Sequence, residues 1–130
     1  MFLDTSGLFC FHHAGEPRSN EALTLIEAAG AKLTHSYVLA ELVALSLARG
    51  LPQPKTLAFL KALLGHPEVE VVWVSAGLNE EALDLLDARS DKDYSLCDAV
   101  SFVLMKQRGL RDALTTDHHF EQEGLARLLK

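Results

Sequence analysis

Four acidic side chains stand where an α/β chain usually keeps apolar or turn residues. Asp4 directly follows the apolar run Met1 to Leu3, and Asp117 follows Ala113 to Thr116 in the segment "ALTTDHHF". Glu41 flanks an apolar stripe formed by Val38, Leu42 and Leu45, and Asp98 lies near the start of the apolar segment beginning at Ser95. Each has a local alternative. Asp4 can be a helix N-cap, Asp98 can complete a capping box with Ser95, and Asp117 can be a turn residue. Glu41 fits a purely local role least well, because a carboxylate beside apolar surface resists desolvation unless it is paired or bound to a cation. Brought together, four carboxylates repel one another, and a hard divalent ion such as Mg²⁺, which prefers oxygen ligands and keeps several waters, is the usual remedy.

The elements that must position these acids follow from apolar patterning. Met1 to Leu3 reads as a short buried strand, and Thr5-Ser6-Gly7 as a turn or helix start. From Pro17 a helix is expected with Ala22, Leu23, Leu25, Ile26, Ala28 and Ala29 at helical spacing before Gly30, then a strand over Ala31 to Thr34. Ser36 is placed to cap a helix ending before Gly50, and a further helix spans Pro54 to Leu64 before the break Gly65-His66-Pro67. Val69 to Val74 is the clearest strand, nearly continuously apolar, as expected for one covered on both faces, and Trp73 reads as core. Ser75 opens a helix reaching about Ala88, Arg89 to Tyr94 forms a loop, and Ser95 to Arg108 makes an unusually buried helix ended by Gly109. Asp112 to Thr115 is a short strand, and Leu125 to Leu129 an edge strand or terminal turn.

Short strands alternating with helices predict one α/β domain over residues 1–130: a central parallel sheet, right-handed crossovers, and helices on both faces. In such folds ligands bind beyond the carboxyl ends of the strands, the edge on which all four acids would fall. The net charge of −6 argues against a broad nucleic-acid-coating surface, though not against an enzyme that meets phosphate through cations. Cys10 and Cys97 form no CxxC pair, which disfavours a disulfide framework or thiolate zinc site. No apolar run is long enough to span a bilayer, and Asp4 interrupts the N-terminal apolar stretch, so a cytoplasmic protein is expected.

At "MFLDTS", the isolated Glu41 in "YVLAELVAL", "SLCDAVSF" and "ALTTDHHF", the chain resembles the PIN-domain ribonucleases, in particular VapC-type toxins of prokaryotic toxin–antitoxin pairs. The motifs match in order and spacing across practically the whole chain. The resemblance implies a three-layer PIN-like fold in which Asp4, Glu41, Asp98 and Asp117 form an acidic, metal-binding, catalytic quartet for Mg²⁺ or Mn²⁺. It also implies roles for the hydroxyls of Ser6 and Thr116 near the metal or phosphate. The reaction implied is endonucleolytic hydrolysis of RNA phosphodiester bonds by metal-activated water, leaving a 5′-phosphate and a 3′-hydroxyl. A small antitoxin is the implied protein partner, and the helices Ser36 to Arg49 and Pro54 to Leu64 offer surfaces for it or for homodimerisation.

Other residues near these motifs are secondary candidates. Asp93 either joins the site or shapes the loop before Ser95, and Lys92, Lys106 and Arg108 are candidate substrate contacts only by proximity in sequence. The pairs His12-His13 and His118-His119 could suggest an imidazole metal site, but adjacent histidines on a helix chelate one ion poorly. One of His118 or His119, taken as His119, is expected near the cleft, with the other facing solvent and Phe120 packing inward. Two other classes compete: a catalytically silent PIN-like module that binds RNA or protein, and a phosphotransfer or receiver-like domain. The intact quartet disfavours the first. The absence of a second aspartate two residues after Asp4 disfavours the second.

Overall fold

The computed structural model describes residues 1–130. Five short strands, β1 (Phe2–Leu3), β2 (Lys32–His35), β3 (Val69–Val72), β4 (Asp112–Leu114) and β5 (Ala126–Arg127), form one sheet in the order β3-β2-β1-β4-β5. Every pairing is parallel, with Phe2 opposite both Leu33 and Ala113 in the centre of the sheet. Seven helices accompany it: α1 (Thr5–His12), α2 (Ser19–Ala28), α3 (Ser36–Ala48), α4 (Gln53–Gly65), α5 (Ala76–Ala88), α6 (Leu96–Arg108) and α7 (His119–Gln122). No helix is long and apolar enough to cross a membrane.

The order explains where a site can form. The chain builds outward from β1 through β2 to β3, then returns to place β4 on the other side of β1. Strand order therefore reverses around β1, and the crevice beyond the carboxyl ends of β1 and β4 is the natural binding place in an open parallel sheet. The main apolar core, including Phe2, Leu3, Leu8, Leu42, Leu104, Leu114 and Phe120, anchors the strands beneath that crevice. A smaller cluster of Leu78, Ala82, Ala99 and Val100 joins α5 to α6.

Three local expectations are corrected. The most apolar strand is not covered on both faces: β3 is an edge strand of half-buried and exposed residues that ends at Val72. Trp73 lies just beyond it and is 66 % exposed, so it is not core. Ser36 does not cap α3; His35 does, its Nδ1 accepting from the Val38 amide at 3.4 Å, while the Ser36 hydroxyl accepts from the Val74 amide at 2.9 Å. Serine is the commoner cap, but here it ties α3 to the segment leaving the neighbouring strand.

α6 is set by its ends as expected. Ser95 Oγ accepts from the Asp98 amide and Asp98 Oδ2 accepts from the Ser95 amide, both at 3.0 Å, a complete capping box. Gly109, at φ 66°, closes the helix in the left-handed conformation that glycine adopts without a Cβ penalty.

Candidate metal centre at the carboxyl edge of the sheet

Asp4 leaves the central strand and is buried at the start of α1. Two hydroxyls converge on its Oδ2: Thr115 Oγ1 donates at 2.7 Å and Ser6 Oγ at 3.2 Å. Ser6 in turn accepts from the Thr116 amide at 3.0 Å, and Thr115 Oγ1 accepts from the Asp117 amide at 3.0 Å. The segment after β4 is thus laced to the first turn of α1 through the oxygen atoms that orient Asp4. The hydroxyl that reaches Asp4 is that of Thr115, one residue before the threonine singled out from the resemblance; Thr116 contributes its amide. A strand alternates its side chains between faces, so of two adjacent threonines only one can point at Asp4.

Asp98 and Asp117 meet through His119. Its Nδ1 lies 3.3 Å from Asp98 Oδ2 and 3.4 Å from Asp117 Oδ2, while its backbone amide donates to Asp117 Oδ1 at 2.9 Å. The ring of Tyr94 packs edge-on against the His119 ring at 5.3 Å. Tyr94 is itself held by a 2.8 Å hydrogen bond to Glu123, which also receives the guanidinium of Arg89. Glu41 is exposed on α3, yet its charge acts on both Asp4 and the buried Cys97.

The electrostatics are unbalanced. Burial, opposed by the hydrogen bonds from Thr115 and the Thr5 amide and reinforced by the charges of Asp98 and Glu41, pushes the Asp4 carboxyl up to about 7. Burial raises the Cys97 thiol well above its usual range, and the same three acids push it further. No lysine or arginine pairs with Asp4, Glu41, Asp98 or Asp117; only His118 and His119 approach any of them. Several carboxylates around one buried, hydroxyl-oriented aspartate, with no cationic side chain among them, make a donor set that suits a hard divalent ion. A groove of about 730 Å³ lies at the amino edge of the sheet, but the charges there are matched, Lys32 with Glu68 and Arg108 with Glu70.

Other candidates lie elsewhere. Asp93 is exposed in the loop before Ser95, with no hydrogen-bond partner for its carboxylate. Lys92 pairs with Asp91, and Lys106 and Arg108 occupy the last turn of α6, roughly 15 Å from its Asp98 end at 1.5 Å per residue. They are not positioned beside the carboxylates. His12 and His13 close α1 at the end away from Asp4, where His12 stacks on Phe59 at 4.6 Å and meets Thr56, so the two histidine pairs do not converge. Phe120 is fully buried against Phe102 and Phe2. The sequence reading missed Thr115, Tyr94 and Arg127, whose guanidinium donates to the Thr116 carbonyl at 3.1 Å. Nothing local in sequence separates Thr115 from Thr116 or marks the other two, because which threonine faces Asp4 depends on how β4 lies against β1.

A five-stranded parallel sheet with acids gathered where strand order reverses around β1 defines a nuclease-like α/β domain, and the PIN-domain family model matches residues 1–124. The chain belongs to the PIN-domain family. It is 30% identical over 125 residues to the 23S rRNA-specific endonuclease VapC20 of Mycobacterium tuberculosis, in both the CDC 1551 and H37Rv strains, across 95% of this chain and 94% of the relative. The crystal structure of Mycobacterium tuberculosis VapC20, described as a sarcin-ricin loop cleaving toxin, matches at a TM-score of 0.90 and 28% identity, covering 99% of this chain and 98% of that one. The chain is thus a homologue of a VapC-type endoribonuclease toxin, in a family whose nucleases are typically metal-dependent.

Proposed function

We propose that this protein hydrolyses phosphodiester bonds in a structured RNA, of the ribosomal class for which its mycobacterial relative is named, using Mg²⁺ or Mn²⁺ held at the carboxyl edge of the sheet. The observation that carries this reading is the buried Asp4, surrounded by the charges of Asp98 and Glu41 and by no lysine or arginine. Asp4, Asp98 and Asp117 would hold the ion, with Glu41 at the exposed rim. When bound, the ion supplies positive charge to the scissile phosphate and makes a water acidic enough to lose a proton near neutral pH. Asp98 or Asp117 accepts that proton. Ser6 and Thr115 keep the Asp4 carboxylate in one orientation, and His119 does the same for Asp98 and Asp117, which limits reorganisation during the reaction. Water as nucleophile leaves a 5′-phosphate and a 3′-hydroxyl.

A small antitoxin and a second copy of the chain are the proposed protein partners. Leu47 on α3 and Leu57 and Leu64 on α4 are exposed, which supports α3 and α4 as contact surfaces. The catalytic reading is tested by incubating the purified protein with structured RNAs in Mg²⁺ or Mn²⁺, beside Asp4→Asn and Asp98→Asn controls. Cleavage by the wild type, with either variant reduced a hundredfold or more, is expected on the order of magnitude typical for lost electrostatic catalysis. Wild-type cleavage no greater than that of both variants would sink the nuclease reading.

A further inference from the structure

The two histidines behind Asp117 are only partly used by the proposed reaction. One donor atom each from Asp117, His118 and His119 lie within 4.8 Å of one another. His118 Nδ1 stands 3.7 Å from Asp117 Oδ1, and the His118 and His119 rings are 4.6 Å apart at a tilt of 49°. Neighbouring residues within a helix point about 100° apart, which is why adjacent histidines rarely share an ion. His118 has a helical backbone (φ −66°, ψ −16°) at the N-cap of α7, yet both rings turn toward the carboxylate of Asp117. Asp117 is steadied by the His119 amide, and Asp98 Oδ2 approaches His119 Nδ1 from the inner side.

We propose that Asp117, His118 and His119, with Asp98 within reach, form a site for a borderline transition-metal ion such as Zn²⁺, and that its occupation silences the nuclease. Imidazole nitrogen favours Zn²⁺ over Mg²⁺, whereas the all-carboxylate set beside it suits the hard ion. Tetrahedral donors about 2.0–2.2 Å from one Zn²⁺ stand roughly 3.3–3.6 Å apart, so the present spread of up to 4.8 Å must close by about 1 Å or somewhat more, within reach of a side-chain rotation. His118 can make it, because its side chain is 64 % exposed and its one polar neighbour is Asp117 itself. The two ions compete because both draw on Asp117, whose two oxygens already face His119, and a carboxylate turned to Zn²⁺ is withdrawn from the hard ion. Binding stands on these donors alone; the silencing rests on the nuclease reading above.

The test uses the full chain, freed of metal and then dialysed free of chelator, as wild type and as His118→Gln. Zn²⁺ is titrated by calorimetry in excess Mg²⁺, and Co²⁺ serves as a visible probe whose d–d absorption reports nitrogen and oxygen ligation. Removing an exposed imidazole leaves thermal unfolding unchanged, while Zn²⁺ affinity falls about tenfold or more and the Co²⁺ spectrum weakens. In RNA cleavage with Mg²⁺, the variant keeps its basal rate and needs a correspondingly higher Zn²⁺ concentration for inhibition. Equal Zn²⁺ affinity in the two proteins overturns the site, and binding through His118 without inhibition of an active enzyme overturns the competition. Binding through His118 in a protein that cleaves no RNA with Mg²⁺ supports the site and counts against the nuclease reading alone.

Discussion

Asp4 is the acid whose charge the fold opposes most. Its carboxyl sits near 7 rather than at its ordinary value of 3.8, chiefly because it is buried. As pH rises from about 4 to about 7 the unfolded chain gives up this proton while the folded one keeps it, so the metal-free fold loses stability over that window. At about 1.4 kcal/mol per unit, the loss reaches on the order of 4 kcal/mol above pH 7 and is absent below pH 4. Asp4→Asn removes it. In EDTA the variant should match the wild type near pH 4 and be more stable by a few kcal/mol at pH 8, as read by urea unfolding. Saturating Mg²⁺ should restore the wild type and leave the variant where it was. An asparagine variant less stable than the wild type at pH 8 in EDTA would refute the argument. At this scale the sequence showed which residue types gather but not which atoms meet. Asp4 stood out because it directly follows an apolar run, whereas choosing Thr115 over Thr116 needed the register of β4 against β1.

Among the elements, the contact between α1 and β4 has the least room. A Cβ on Gly7 would lie 1.9 Å from the Leu114 carbonyl oxygen, and backbone rather than a movable side chain is in the way. Gly7→Ala must push α1 off the strand, at an overpacking cost of about 1–3 kcal/mol. Since Ser6, Thr115 and Asp4 are tied across the same contact, RNA cleavage should fall along with the melting temperature. A Gly7→Ala protein that melts and cleaves like the wild type would exclude this close packing. A second tie joins the end of β2 to α6: His35 Nε2 lies 2.8 Å from Ser101 Oγ, which donates to the Cys97 carbonyl at 2.9 Å. Burial holds His35 down at about 4, and with Nδ1 accepting at the helix cap, Nε2 carries the proton. Ser101→Ala leaves that buried N–H without its partner, so thermal or urea unfolding should show a loss of about 1–3 kcal/mol; no loss would mean the bond contributes nothing. Helix ends were legible in sequence wherever side chain and backbone agreed, as at Ser75, Ser95 and Gly109. The place of β3 was not. An apolar β-branched run marks a strand, but whether neighbours cover it depends on strand order, and Val69 to Val72 stand at the edge with Trp73 outside.

For the molecule as a whole, a net charge of −6 must be reconciled with a polyanionic substrate. Lys32, Arg49, Arg89, Lys92, Arg108 and Arg127 each pair with an acid, so much of the basic charge is already matched within the protein. Arg127, on β5 and bonded to the Thr116 carbonyl, is the guanidinium that reaches the acidic edge. RNA phosphates approaching that edge without a cation meet uncompensated carboxylates. Neutralising one of them should then improve binding while it removes turnover. Asp98→Asn preserves a side-chain oxygen for the Ser95 cap and deletes one charge, a change of about 1 kcal/mol for a phosphate roughly 4 Å away in a water-like medium. Fluorescence anisotropy in EDTA should therefore show the variant binding a structured RNA several-fold more tightly than the wild type. The KCl dependence should be shallow in both, because much of the basic charge is already paired within the protein and few counterions are released on binding. Addition of Mg²⁺ should tighten the wild type more than the variant, because only the wild type retains the full carboxylate set. Weaker RNA binding by Asp98→Asn than by the wild type in EDTA would show that the acidic edge does not repel the substrate, and that some basic surface away from it governs encounter.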